Sequence, residues 1–72
     1  MEDVMSKTYK LIELVGTSTD SYEGAIANAI KQASKSLKAI SWYEVVQMRG
    51  AVNDGNVTEY QVILKVGFKL VE

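Results

Sequence analysis

The clearest alternation of apolar and polar residues lies near the end of the chain. Every second residue of the segment 60–70 is apolar, namely Tyr60, Val62, Leu64, Val66, Phe68 and Leu70. This period of two predicts a β-strand with one buried face. A second β-rich segment, 41–53, precedes it, and Asp54-Gly55 between them suits a type I′ turn because both residues tolerate positive φ. The two segments therefore predict a long antiparallel hairpin.

Pairing Asn53 with Asn56 sets the register of the predicted hairpin. Three cross-strand pairs follow: Glu44 with Lys65, Val46 with Ile63, and Trp42 with Gly67. The face away from the buried stripe then carries Trp42, Val46, Met48, Gln61 and Ile63. Because so large an indole and its apolar neighbours make a conspicuous patch on a small sheet, we expect a second molecule or a flat ligand to cover this face.

Two further elements are predicted before the hairpin. A β-rich segment, 7–15, ends at Gly16, with Tyr9, Leu11 and Val15 on one face and Ile12 and Leu14 on the other. Asp20, with Glu23 three residues later, suits the start of a helix. The helix is predicted to run to about Ala39, because apolar residues recur at helical spacing at Tyr22, Ala25, Ile26, Ala29, Ile30, Ala33, Leu37 and Ile40.

The order of these elements, β-α-β-β, predicts an α+β protomer. A right-handed crossover leaves room for the last strand between the first two, which gives a three-stranded antiparallel sheet of order 1-3-2 wrapped around one helix. An adjacent parallel order is the alternative. We expect residues 1–72 to form a single domain, with residues 1–6 as a flexible N-terminus.

The small size of the chain implies self-association. The core of a 72-residue chain rarely supplies more than roughly 3–5 kcal/mol of net stability without a disulfide, a structural metal or oligomerisation. The sequence contains no Cys for disulfides. It also contains no His, so a metal site would depend on carboxylates and carbonyls, and none is predicted. Since 47% of residues are hydrophobic, the chain is expected to fold, and homo-oligomerisation is the simplest way to complete its core.

Charge and hydropathy exclude two classes of partner. Eight Lys and Arg residues against nine Asp and Glu residues give a net charge of -1, which provides no footprint for nucleic acid. The acidic start of the chain is unlike a secretory signal, and no segment reaches the roughly 20 apolar residues of a membrane span. We therefore expect a soluble cytoplasmic protein.

The residue types argue against catalysis. Without His and Cys the chain cannot form a Ser-His-Asp or Cys-His arrangement. Glu13, Glu44 and Glu59 show no spacing that suggests an acid and base pair, so solvated or salt-bridged carboxylates are the simpler interpretation. The segment 16–18 lacks a phosphate-binding glycine pattern, and an ordinary strand-to-helix turn is favoured there.

Trp42 is the residue with the least obvious role, since it lies on the outer sheet face at the start of a strand. It is either an interface aromatic or a stacking platform for a planar ring whose polar edge would meet the amide of Gln61. Arg49 can pair with a carboxylate or hold a phosphate. The simple register places Arg49 on the opposite face, so joining it to the other two needs a bulge at Arg49-Gly50 or a neighbouring subunit.

Several sequence blocks in a fixed order over 8–71 resemble the dodecins, small flavin-binding proteins. The blocks are Tyr9-Lys10, the segment 13–18 (Glu-Leu-Val-Gly-Thr-Ser), the segment 41–46 (Ser-Trp-Tyr-Glu-Val-Val), Arg49-Gly50, the segment 60–62 (Tyr-Gln-Val) and the segment 65–68 (Lys-Val-Gly-Phe). The resemblance implies a hollow homododecamer in which Trp42 stacks on the flavin ring and Gln61 bonds the ring edge. It also implies that Arg49 marks the bacterial type that prefers FMN over riboflavin or FAD, and that coenzyme A is a further possible ligand.

The expected function is therefore storage of flavin at sites between subunits, without catalysis. Binding would buffer free flavin, and contact with the indole would quench its photochemistry. The alternative is a structural or interaction shell in which Trp42 only packs between subunits.

Overall fold

A computed structural model describes residues 7–70. The elements are β1 (Tyr9–Ser18), α1 (Tyr22–Ala33), β2 (Ile40–Asn53) and β3 (Asn56–Lys69). The strands form one antiparallel sheet in the order β1-β3-β2. The predicted α+β class and strand order are confirmed, while the predicted flexible segment 1–6 lies outside the described residues.

The β2-β3 hairpin closes through the predicted turn. Asp54 has φ of 54° and Gly55 has φ of 78°, the pair of positive angles that a type I′ turn requires. Two predicted cross-strand pairs are present: Glu44 opposite Lys65, and Trp42 opposite Gly67. The expected pair of Val46 with Ile63 is wrong, because Gln47 lies opposite Ile63.

Two register shifts explain this difference. Counted from the turn, Thr58 of β3 has no partner, and further along the hairpin Val46 of β2 has none. Between the two shifts, Arg49 lies opposite Gln61 and therefore on the outer face, which corrects its predicted position on the other side. The shift at Thr58 brings Arg49 opposite Gln61, and the bulge at Val46 restores the predicted pairing of Trp42 with Gly67. Neither shift lies at Arg49-Gly50. Met48 lies opposite Val62 on the helix side, so its predicted place on the outer face is also wrong.

β1 continues through Gly16, which the sequence had suggested as its end. A Cβ at Gly16 would lie 2.1 Å from the carbonyl oxygen of Ala25 and 2.8 Å from Cβ of Ala29. The glycine is therefore needed because the helix backbone crosses the strand at this point, and it does not terminate pairing. β1 stays paired with β3 as far as Ser18.

The helix starts and ends differently from the prediction. Its N-cap is Ser21, whose hydroxyl accepts a hydrogen bond of 2.9 Å from the N–H of Gly24, and not Asp20. The helix ends at Ala33, and the N–H groups of Lys35 and Ser36 then bond to carbonyls three residues back, which tightens the last turn.

The chain has rejoined the sheet by residue 39. Ala39 adopts a positive φ of 62°, and its carbonyl accepts a hydrogen bond of 3.0 Å from the N–H of Lys69. The predicted helical extension to Ala39 is therefore wrong. Leu37 nevertheless packs against the core, as its helical spacing had suggested.

The buried core is small and lies between α1 and the strands β1 and β3. The buried apolar residues are Ala25, Ala29, Ala33, Val62, Leu64 and Val66. The helix packs mainly on β1 and β3, and β2 extends beyond its cover. On the helix side of β2, Tyr43 and Met48 are 51% and 50% exposed. The radius of gyration is 15.3 Å, against about 11 Å for a compact domain of this length.

Candidate ligand-binding site

Trp42 lies flat on the outer face of the sheet, over Gly67. A Cβ on Gly67 would lie 2.4 Å from two carbons of the indole ring, so only glycine leaves space for the ring. Trp42 is 42% exposed. One face of the indole is thus held against the β3 backbone, and the other is directed away from the sheet.

Tyr9 borders the indole from the neighbouring strand. The ring centroids of Tyr9 and Trp42 are 6.2 Å apart, with an angle of 55° between the planes. This tilted arrangement is within the range of favourable aromatic pairs. Gly67 and Tyr9 together restrict the orientation of the indole before any ligand arrives.

A chain of hydrogen bonds joins three polar side chains further along the same face. Nε of Arg49 donates to Oε1 of Gln61 at 3.0 Å. Nε2 of Gln61 in turn donates to Oε1 of Glu59 at 2.9 Å. Arg49 comes from β2, while Gln61 and Glu59 are two residues apart in β3 and therefore share a face.

The indole and this polar chain are far apart within one protomer. Gly67, which lies under the indole, is six residues from Gln61 along β3, which corresponds to about 20 Å at 3.3–3.4 Å per residue. The structure brings Arg49 and Gln61 together but does not bring Trp42 to them. A single flat ligand of three fused rings cannot reach both from one protomer.

The Ser18 hydroxyl at the end of β1 has a structural role. The hydroxyl of Ser18 accepts hydrogen bonds from the backbone N–H groups of Asp20 and Ser21, at 3.0 and 3.4 Å. These N–H groups are used inside the turn, which fits the ordinary strand-to-helix turn that the sequence favoured. Glu13 and Glu44 lie on either side of Lys65 in the three-stranded register. Among residues 7–70, no three acidic side chains gather as metal ligands.

Three residues of this face were not recognised as site residues from the sequence. They are Gly67, Tyr9 and Glu59. The predicted register already placed Gly67 opposite Trp42, but a pairing does not say that the indole will lie flat on the glycine. Glu59 and Gln61 are two residues apart in a strand, a spacing that indicates a shared face but no hydrogen bond.

The fold and the outward indole define a small β-α-β-β protein that presents an aromatic ring on its uncovered sheet face. The protein-family model for dodecin matches residues 8–71. A dodecin from Thermus thermophilus is 48% identical over 68 residues, which cover 94% of this chain and 99% of that protein. The chain belongs to the dodecin family.

Two further relatives agree with this assignment. The structure of a dodecin from Streptomyces coelicolor superposes with a TM-score of 0.91 at 45% identity, covering 96% of this chain and 99% of that one. A Mycobacterium tuberculosis protein named calcium dodecin is 36% identical over 62 residues, which cover 86% of this chain and 87% of that protein. The structural likeness confirms the β-α-β-β fold. In the described part of the chain, no helix is long and apolar enough to cross a membrane.

Proposed function

We propose that this protein stores and sequesters flavin, most favourably FMN, by stacking it on Trp42 at sites between subunits of a homododecamer. The observation that carries the proposal is the indole of Trp42, seated over Gly67 with its other face turned away from the sheet. A flat, electron-rich surface of this kind suits an isoalloxazine ring, because aromatic systems attract one another when stacked.

Stacking on indole also accounts for protection of the flavin. A base stacked on an aromatic side chain gains about 1–3 kcal/mol, and a larger flavin ring has at least as much surface to contribute. Electron transfer from the indole to the excited flavin would then quench its fluorescence and limit its photochemistry. Storage and protection thus follow from one contact.

The separation within the protomer supports a site shared between subunits. Trp42 and Gln61 lie about 20 Å apart along β3, so a ligand that contacts both must receive them from different protomers. The half-exposed apolar residues of β2, including Tyr43 and Met48, give each protomer a surface that another copy can cover. Assembly into a closed shell of twelve would complete both the core and the site.

Gln61 and Arg49 are assigned to the polar parts of the ligand. The amide of Gln61 can donate to and accept from the edge of the flavin ring. Arg49 uses Nε for Gln61, which leaves its two terminal nitrogens as a fork for a phosphate. This fork is the reason to favour FMN over riboflavin.

No catalytic role is assigned to the chain. The sequence contains no His and no Cys, the side chains that most often act as general base and nucleophile near neutral pH. Coenzyme A is proposed as a second ligand of the assembled shell, without assigned residues. We place the protein in the cytoplasm.

Titration of the ligand-free protein with FMN tests the proposed function. Stoichiometric quenching of flavin fluorescence, together with a solution mass of twelve protomers, is expected. Protein that assembles but fails to quench added flavin would instead be a structural or interaction shell. A folded monomer would contradict both the flavin-storing dodecamer and the structural shell.

Replacing Arg49 by alanine tests the phosphate assignment. Arg49→Ala removes the fork, and a charge-assisted hydrogen bond contributes about 1.5–3 kcal/mol, so FMN affinity should fall roughly tenfold or more. Riboflavin, which lacks the phosphate, should lose much less. Fluorescence titrations with both ligands measure the two dissociation constants. Equal losses for FMN and riboflavin would remove the phosphate role.

Replacing Gly67 by alanine tests whether the indole of Trp42 must lie against the β3 backbone to bind flavin. In Gly67→Ala the new Cβ would overlap the ring, so the indole must lift from the sheet while the rest of the fold is retained. The emission of the single Trp should shift, and flavin affinity should fall about tenfold.

Gly55→Ala is the matched control for this variant. Gly55 lies in the hairpin turn with φ of 78°, and no atom lies within 4 Å of an added Cβ. The control should lower stability by about 1 kcal/mol through backbone strain, and leave the emission of Trp42 unchanged. Wild-type flavin affinity in Gly67→Ala would show that flavin binding does not require the contact between the indole and Gly67.

A further inference from the structure

We propose that Glu59 is a positioning residue that fixes the amide of Gln61 in one orientation and so sets how the site reads the edge of the flavin ring. This inference rests on the proposed flavin site. It adds a residue that does not itself touch the ligand, and a rule for which ring edge is accepted.

The orientation of Gln61 follows from the charges on either side of its amide. An ionised carboxylate only accepts hydrogen bonds, and a guanidinium only donates them. Glu59 therefore accepts from Nε2, at 2.9 Å, and Arg49 donates to Oε1, at 3.0 Å. Rotating the amide by half a turn would place oxygen against carboxylate and the NH₂ group against guanidinium. Both contacts of the reversed amide would be repulsive.

A ligand can bond only to the hydrogen-bond donor and acceptor of Gln61 that Glu59 and Arg49 leave free. Nε2 has two N–H groups, of which Glu59 takes one, and Oε1 has two lone pairs, of which Arg49 takes one. One donor and one acceptor are left in a fixed order. They complement a carbonyl next to an N–H, which is the imide edge of a flavin ring. The fixed order selects which of the two imide carbonyls meets the donor, and so the direction in which the ring extends.

Position in the sheet keeps this arrangement rigid. Glu59 and Gln61 are both half-buried and lie on the same face of β3, the central strand. Arg49 is directly opposite Gln61 in β2, and Thr17 is opposite it in β1. Three strands therefore hold the backbone on which the amide stands.

The test compares riboflavin with N3-methylriboflavin, in which a methyl group replaces the imide hydrogen. Wild-type protein should bind riboflavin about tenfold more tightly than the methylated ligand. Glu59→Gln keeps the size of the side chain, but its amide both donates and accepts, so Arg49 alone still favours one orientation of Gln61. The affinity ratio should fall roughly three- to tenfold.

A double variant shows whether Glu59 acts through Gln61. The ratio in Glu59→Gln combined with Gln61→Ala should equal that of Gln61→Ala alone, because the positioned group is already missing. Glu23→Gln makes the same chemical change on the helix and should keep the wild-type ratio. A further fall in the double variant, or an equal fall in the helix control, would overturn the proposal.

The remaining outcomes separate this proposal from the flavin site itself. A wild-type ratio in Glu59→Gln, or equal binding of the two ligands by wild-type protein, overturns the positioning role while the storage function stands. No quenching of riboflavin by wild-type protein overturns both.

If Glu59→Gln lowers the mass of the assembly, the affinity ratio is measured in Glu59→Asp, whose side chain is shorter by one methylene and holds the carboxylate further from Gln61. A reduced ratio there supports the proposal, and an unchanged one refutes it.

Discussion

Trp42→Ala is expected to abolish flavin quenching while the assembly keeps its mass. The indole is the proposed electron donor to the excited flavin, and the sequence contains no other Trp to replace it. Loss of a stacking contact of about 1–3 kcal/mol should also weaken FMN binding by roughly five- to 150-fold. Fluorescence titration gives the quenching, and a ligand-dialysis measurement gives the affinity independently of quenching.

Two further variants make this result specific. Trp42→Phe keeps a smaller ring over Gly67 and should retain part of the affinity with weaker quenching. Tyr43→Ala removes an exposed aromatic ring one residue away but on the helix side of the sheet, so its quenching should match wild type wherever the assembly persists. Unchanged FMN affinity in Trp42→Ala would rule out stacking as the binding mechanism.

Gly16→Ala is expected to produce the largest loss of stability among single methyl additions. The new Cβ would meet the backbone carbonyl of Ala25, which cannot rotate away as a side chain can, so α1 must move off the sheet. Overpacking of this kind typically destabilises by about 1–3 kcal/mol, occasionally more. For a domain of this size, each kcal/mol lowers the melting temperature by roughly 4–8 °C.

The measurement is thermal or urea unfolding at one fixed protein concentration, since assembly adds to apparent stability. Thr17→Ala is the control: it changes the next residue, which is exposed on the outer face, and should shift stability by less than about 0.5 kcal/mol. A melting temperature equal to wild type in Gly16→Ala would mean that the helix does not rest on β1 as closely as the structure has it.

Local patterns were enough to predict most of the fold. The alternation over 60–70 and the positive-φ residues Asp54 and Gly55 predicted the hairpin correctly. The outward position of Trp42 opposite Gly67 was also correct. Two register shifts lie between the turn and Trp42, one between Ala51 and Val52 and one at Val46, and they cancel. The hairpin depends on residues close together in the chain. The position of Trp42 was predicted correctly only because two errors in the cross-strand register cancelled.

Features that depend on contacts between elements were missed. Gly16 looks like a strand end in the sequence, and only the helix that crosses it explains the glycine. The helix was expected to reach Ala39, but it ends at Ala33, and the carbonyl of Ala39 already accepts a hydrogen bond from the N–H of Lys69 in the sheet. Arg49 was placed on the wrong face, since nothing in the sequence reveals the register shift at Thr58, between Arg49 and the turn.

By itself the sequence determined the elements, their order, and an indole on the outer face of a chain too short to cover its own sheet. The tertiary structure decided where β3 and β2 each accommodate an extra residue, and hence that Arg49, Gln61 and Glu59 form one hydrogen-bonded chain about 20 Å from Trp42. The physical reason is that periodicity reports which side of a strand is buried. The position of a bulge, by contrast, depends on backbone pairing and packing summed over the whole sheet.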